Sequence, residues 1–226
     1  MENKKLYVWF NTLGRSIKGI PQDHFTWLKD VCDFNAENKL GEWLSYNWRD
    51  GKPEGKYKMP NELYLFIKSV KKPVFDFYST NDFLIISSSL LKYFIDNNLE
   101  DQIEISNLRI FNTDGIEHTN KKYYIVRVFQ FNDDLFDLNE ETKKRVSGAK
   151  DKFFYPDLTL KSAIVNQNVF FLNNLFGYHD TIILNEKAKN YVLQNFYMPE
   201  IYDAKVFNIA YNNQTDKTKL PEIVKL

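Results

Sequence analysis

Asp82-Phe83-Leu84-Ile85-Ile86-Ser87-Ser88-Ser89-Leu90-Leu91-Lys92 is the stretch from which the fold is read. Residues 83–86 form a short unbroken apolar run, as a buried strand requires. Ser87 or Ser88 can then cap a helix by accepting from a free backbone N–H of its first turn. Leu90, Leu91, Phe94 and Ile95 recur at helical spacing, Asn97 and Asn98 end the stripe, and residues 103–111 supply the next strand. An offset of 98 residues lays a second copy on the first, setting Asp82 on Asp180, Ile85 on Ile183, Tyr93 on Tyr191, Asn97 on Asn195 and Ile103 on Ile201. Leu84, Ile86, Phe94 and Ile95 then face Ile182, Leu184, Val192 and Leu193. The second copy predicts a strand over 181–184, a helix over 186–195 and a strand over 201–210. Two unrelated strand–helix–strand units are the alternative to a duplication.

Around these units, residues 6–10 predict an opening strand stopped by Asn11 and Gly14. Asp23 can cap a helix to about residue 33 that sets Phe25, Leu28 and Cys32 on one side. Residues 62–68 alternate around Leu63, Leu65 and Ile67, and 123–131, 158–160 and 168–172 read as further strands. Two stretches break the pattern. Residues 41–60 hold Gly41, Gly51, Pro53, Gly55 and Pro60 between Trp43, Tyr46, Trp48, Arg49 and Tyr57, which predicts an aromatic loop that either folds back onto the core or meets a partner. Residues 132–152 run from Asp133, Asp134, Asp137, Glu140 and Glu141 to Lys143, Lys144 and Arg145, which predicts an exposed excursion with a short helix. The polar end after Tyr211 is expected to fray. The whole predicts a single α+β domain with a mostly antiparallel sheet: an irregular lobe over 1–61, the duplicated core over 62–210 and a tail over 211–226.

Thirty basic and thirty acidic side chains cancel, which removes the electrostatic footprint of a general nucleic-acid binder. Arginine occurs only at Arg15, Arg49, Arg109, Arg127 and Arg145, few forks for reading phosphate. The single Cys32 cannot form an internal disulfide, and no apolar run reaches the ~20 residues of a membrane span. A soluble, cytoplasmic protein is expected, and the wealth of Lys, Asn, Ile, Phe and Tyr suggests an AT-rich bacterial genome.

Material for an active site is sparse. His24, His118 and His179 are scattered, no second Cys completes a zinc cluster, and no phosphate loop, dinucleotide fingerprint or nucleophile elbow is present. No metal and no cofactor are expected. A Cys32–His24 pair on one helix would stand two turns apart, roughly 12 Å, beyond hydrogen-bond reach. Carboxylates are what remains: Asp76 or Asp82 beside a second acid could do acid–base chemistry if burial split their pKa values. A solvated acidic face is the plainer reading of Asp133, Asp134 and Asp137.

Three segments carry a resemblance: the capped unit from Asp82 to Lys92, the strand Tyr123-Tyr-Ile-Val-Arg-Val before an acidic turn, and Asp180-Thr-Ile-Ile-Leu-Asn-Glu-Lys. In this order, over residues 62–210, the chain resembles immunity proteins of bacterial polymorphic-toxin systems, in particular the large α+β groups catalogued as immunity families eleven and forty-three. It departs from their pattern at Arg127, where a small polar residue is expected, and at Asn185, where the first copy has Ser87. The resemblance implies a protein encoded beside a toxin gene that protects the producing cell by binding the toxin, without catalysis, nucleic acid or membrane. Trp43, Tyr46, Trp48 and Arg49 are the expected anchors, and Asp133, Asp134 and Asp137 the expected steering charges for a basic toxin. A hydrolase with a carboxylate site and a regulatory module with no toxin partner are the competing readings. Oligomeric state stays open.

Overall fold

A computed structural model of the chain describes residues 5–21, 26–30, 48, 53–68, 70, 72–80, 83–118, 120–161, 166–173, 178 and 180–225. In chain order it contains β1 (Leu6–Trp9), β2 (Thr26–Lys29), β3 (Glu62–Ile67), β4 (Phe77–Thr80), β5 (Phe83–Ser87), α1 (Ser88–Asp96), β6 (Ile103–Asn112) and β7 (Tyr123–Val128). The two-residue strands β8 (Phe136–Asp137), β9 (Lys144–Arg145), β10 (Phe153–Phe154), β11 (Thr159–Leu160) and β12 (Val169–Phe170) follow. The chain then runs through β13 (Ile182–Asn185), α2 (Glu186–Asn195), β14 (Ile201–Asp203) and α3 (Ala204–Asn212). The fold is α+β, and every described strand pairing is antiparallel except β3 with β6.

Contacts divide the chain into two compact units, one of Met1–Ser16 with Gln130–Leu226 and the other of Ile17–Phe129. The division falls after Ser16 and Phe129, not at the lobe boundary near residue 61. Each copy of the repeated segment lies in its own unit. The Ile17–Phe129 unit is built on a six-stranded sheet, β2-β3-β6-β7-β5-β4. Leu63, Leu65, Ile67, Ile85, Leu108, Ile110, Tyr123 and Ile125 line one buried face with Phe75, and α1 packs on β5 and β7. Because both faces are covered, β5 is buried at all five positions, as its unbroken apolar run predicts. Gly19 closes a tight turn here at φ +89, its carbonyl accepting from Val74 N–H at 3.2 Å.

The other unit has a four-stranded sheet, β12-β13-β1-β14, in which β1 is antiparallel to both β13 and β14. Leu6, Val8 and Phe10 enter a core with Ile183, Phe170, Tyr202 and Phe207, while Trp9 stacks on Phe196 beyond α2 at 5.6 Å. Phe207 of α3 is the aromatic hub, with ring centroids of Phe10, Phe154 and Tyr178 all within 5.6 Å.

The two sheets share one wiring. In each, strand–helix–strand places two parallel strands on either side of an antiparallel central strand: β7 between β5 and β6, β1 between β13 and β14. The preceding strand pairs outside in the same register, Tyr78 with Ile85 and Phe170 with Ile183. The caps match too: Ser87 Oγ accepts from Leu90 N–H at 3.3 Å, and Asn185 Oδ1 from Ala188 N–H at 2.9 Å. Through β5 and β13 the offset is 98, so Tyr123 corresponds to Leu6 and Arg127 to Phe10. At the last strand it becomes 96: Val126 pairs with Ile105, and its counterpart Trp9 with Ile201. Ile201 thus corresponds to Ile105 rather than Ile103, a two-residue shift that keeps the same face.

Four expectations change. The predicted helix from Asp23 gives way at Thr26–Lys29 to a strand paired with β3, tertiary pairing overriding the helical stripe, while Asp23, His24, Phe25 and Cys32 lie outside the described residues. The predicted strand over 201–210 stops at Asp203, whose carboxylate caps α3 by accepting from Lys205 N–H at 3.0 Å; Ala204, Phe207 and Ala210 then bury one helical face. The excursion over 132–152 carries no α-helix but a single 3₁₀ turn (Asp133–Leu135) and short strands, with Phe136 and Val146 buried in the core. The tail does not fray: Gly14 N–H donates to Gln214 O, Val224 N–H to Ile201 O, and Ile223 packs on the core. A Cβ at Gly14 would stand 3.1 Å from backbone atoms of Gln214 and Lys217, so glycine permits this docking.

Three outcomes follow for stability. Phe207→Ala, which empties the aromatic hub, should cost about 3–5 kcal/mol in urea unfolding. Asn185→Ala should cost about 1 kcal/mol as a lost cap. Ser87→Ala should cost more, about 2–3 kcal/mol, because it also strips a donor from the buried Asp76.

Candidate functional site

Within the Ile17–Phe129 unit, β6 and β7 present alternate residues to the core, and the row Tyr123, Ile125 continues to Arg127. Opposite Arg127 stands Glu104, and the two join as an ion pair at 2.5 Å with side chains only 5% and 11% exposed. Each partner makes a second bond to one backbone segment. Arg127 donates to Tyr57 O at 2.9 Å, and Glu104 Oε1 accepts from Met59 N–H at 2.8 Å. Those two grips flank Lys58 and hold the C-terminal end of the 3₁₀ turn Gly55–Tyr57, with Glu54, Gly55, Lys56 and Lys58 exposed and Tyr57 half-buried. Met59 and Trp48 are each 4% exposed and belong to the core cluster.

Trp48 therefore folds back, its ring 5.3 Å from Phe83. Burial leaves it a core residue, so it is no exposed anchor. Trp43, Tyr46 and Arg49 lie outside the described residues. Lys56 Nζ lies 5.0 Å from the Tyr57 ring centroid, giving the turn a cation–π pair of its own.

The acidic set belongs to the other unit. Asp133 is half-buried and accepts from Asn173 N–H at 2.9 Å, so it holds a loop together, whereas Asp134 and Asp137 are exposed. Asp137 lines a groove of about 570 Å³ with Asp157, Asp203, Asn139 and the cations Lys5 and Lys205. Lys5 pairs with Asp203 at 2.8 Å, which leaves Asp137 and Asp157 against Lys205 and a rim with one negative charge in excess.

Of the carboxylates considered for catalysis, Asp76 holds a structural position. Asp76 is 5% exposed and its Oδ1 accepts from Ser87 Oγ and from Lys121 Nζ, each at 2.5 Å. A buried carboxylate bound to a helix cap and a lysine is positioned to orient that cap. Asp82 lies outside the described residues. Glu200, 1% exposed, accepts from Thr12 N–H at 2.9 Å, Thr12 Oγ1 at 2.6 Å and the Tyr202 hydroxyl, with Arg15 Nε at 3.2 Å. Burial pushes its carboxyl above the usual carboxylate range, against the pull of these donors. His118 is half-buried, and burial lowers its pKa. Among the described residues no three His, Cys, Asp or Glu side chains cluster to hold a metal, and no helix is long and apolar enough to cross a membrane.

Arg127 stands out from the sequence only as a departure from a pattern, and its role depends on a partner 23 residues away and on a loop 70 residues away. One signal was available: Glu104 and Arg127 are opposite charges at inward positions of neighbouring strands.

Comparison with known proteins adds two findings. No curated protein matches the chain. The family model described as Immunity protein 43 matches residues 12–217, a span that takes in the described strands of both units from β2 to β14 together with all three helices. By that match, over nearly its whole length, the chain belongs to the Immunity protein 43 family.

Proposed function

We propose that this protein binds a cognate bacterial toxin and neutralises it by stoichiometric occlusion, burying the toxin's active face so that substrate cannot enter. The observation that carries the proposal is the family match over residues 12–217. The buried carboxylates favour it over a carboxylate-based hydrolase, since Asp76 is tied to a helix cap and Lys121, and Glu200 to Thr12 and Arg15 of the segment after β1. A standard interface of about 1,600 Å² with a few anchors suffices for tight binding. Occlusion in the bacterial cytoplasm, without nucleic acid or membrane, completes the reading.

For the binding surface, Trp43, Tyr46 and Arg49 stay as aromatic and guanidinium anchors, and the exposed Asp134 and Asp137 as steering charges, with Asp157 beside Asp137 on the groove. Asp133 supports the acidic turn through Asn173. A toxin with a basic face would meet this rim favourably.

Co-expression with the toxin encoded beside this gene should restore growth, and the two proteins should co-purify in a fixed ratio. Failure of both would refute the proposal, and co-purification without rescue would refute occlusion. Asp134→Lys with Asp137→Lys should slow association about tenfold at low salt, and the difference should shrink toward high salt as screening takes over. A salt-independent change in dissociation instead would remove these residues from the steering role.

A further inference from the structure

We propose that Arg127 and Glu104 are positioning residues that grip the turn Gly55–Tyr57 by its backbone, so that its outward side chains meet the toxin in a preset arrangement. The inference rests on the toxin-binding reading above and adds to it a place on the molecule.

The grip is specific in its atoms. Arg127 donates to Tyr57 O and Glu104 accepts from Met59 N–H, so both contacts are to main chain and neither depends on which side chains the turn carries. The pair is nearly sealed from solvent, at 5% and 11% side-chain exposure. Desolvating two charges is costly, and a well-packed apolar pair in such a place is commonly as stable or more so. Conformational order of the turn is what the ion pair supplies and an apolar pair does not.

The duplicated architecture provides an internal control. By strand register the counterpart of Arg127 is Phe10, a buried apolar residue at 4% exposure. The counterpart of Glu104 is Glu200, whose carbonyl accepts from Phe10 N–H at 3.0 Å. The scaffold therefore accepts an aromatic ring at the Arg127 position, where Arg15 of the passing segment, not a residue of the central strand, supplies the cation beside Glu200. Both glutamates hold the backbone N–H of a passing segment, Thr12 in one unit and Met59 in the other. Arg127 adds a second grip from within the sheet, on a backbone carbonyl, and the segment it holds is exposed. Glu54, Lys56 and Lys58 point outward, and nothing lies within 4 Å of where a Gly55 side chain would begin. Met59, buried in the core, anchors the same end of the segment. A loop fixed before association loses less conformational entropy on binding, and its gain appears mainly in dissociation.

The test uses the full chain and the toxin encoded beside its gene. Arg127→Met with Glu104→Leu removes both charges together, so no lone buried charge is left. Amide exchange at Met59 should accelerate while the melting temperature shifts little, and toxin dissociation should quicken about tenfold with association unchanged. Lys56→Ala with Tyr57→Ala, which leaves the backbone grip in place, should also weaken binding with the melting temperature unchanged. Unchanged exchange at Met59 would overturn the grip. Faster exchange with unaltered toxin dissociation, or full affinity in the Lys56/Tyr57 variant, would overturn its link to binding while leaving the toxin-binding reading intact. A wild-type chain that fails to bind the toxin would overturn both. If the double variant does not fold, Arg127→Lys decides the matter: it keeps a charge opposite Glu104 but lacks the guanidinium fork, and the same faster exchange and dissociation are required of it.

Discussion

The insertion of β1 between β13 and β14 is the pairing on which one half of this protein depends. Without it β13 and β14, which run parallel, have no neighbour in common, and α2 and α3 lose the sheet that separates them. All four β1 residues are buried, with Leu6 and Val8 toward the aromatic core around Phe207 and Trp9 toward Phe196 beyond α2. The segment that follows is bound as tightly. Thr12 and Arg15 converge on Glu200, Arg15 reaches Pro221 O at 2.7 Å, and the tail closes over Gly14. A strand bonded along both edges and covered on both faces has no cheap way to leave.

Much of this was legible in the sequence, for identifiable reasons. The strand–cap–helix units were found because their signals are local: an apolar run, an oxygen-bearing residue at the cap, a stripe at helical spacing. Ser87 and Asn185 cap as their positions suggest, and α2 spans the predicted residues. What was not legible is non-local. That β1 supplies in one unit the strand that β7 supplies in the other cannot be seen in any window, because the equivalent strands occupy different places in chain order. The correspondence of Glu104 with Glu200 was hidden for a related reason, since the offset drifts from 98 to 96 between helix and last strand. The acidic excursion misled because its charge count concealed Phe136 and Val146, two core residues in a polar frame. For the site, the burial of Trp48 and the grip on Tyr57 and Met59 depend on partners far away in sequence.

Buried charge has a consistent use here. Asp76 holds a helix cap, Glu104 with Arg127 holds a turn, and Glu200 with Arg15 holds the exit from β1 and the tail. Each joins a segment of irregular backbone to a sheet or helix, where main-chain N–H and C=O groups need partners that no ladder provides. A chain with aromatic packing on this scale draws stability from its rings, and the ionic groups fix which loop lies where.

The position of β1 also sets a timetable. The ribosome makes β1 first, then the whole Ile17–Phe129 unit, and β13 only 173 residues after Trp9, counting from 9 to 182. At roughly 5–20 residues per second the strand waits about 10–35 s for its first central partner. During that interval the Ile17–Phe129 unit has its own strands in hand, while Leu6–Trp9 is a free apolar segment with two open edges, the kind that chaperones hold and that neighbouring nascent chains can capture. A newly made copy can thus assemble the Ile17–Phe129 unit well before β13 and β14 emerge to enclose β1.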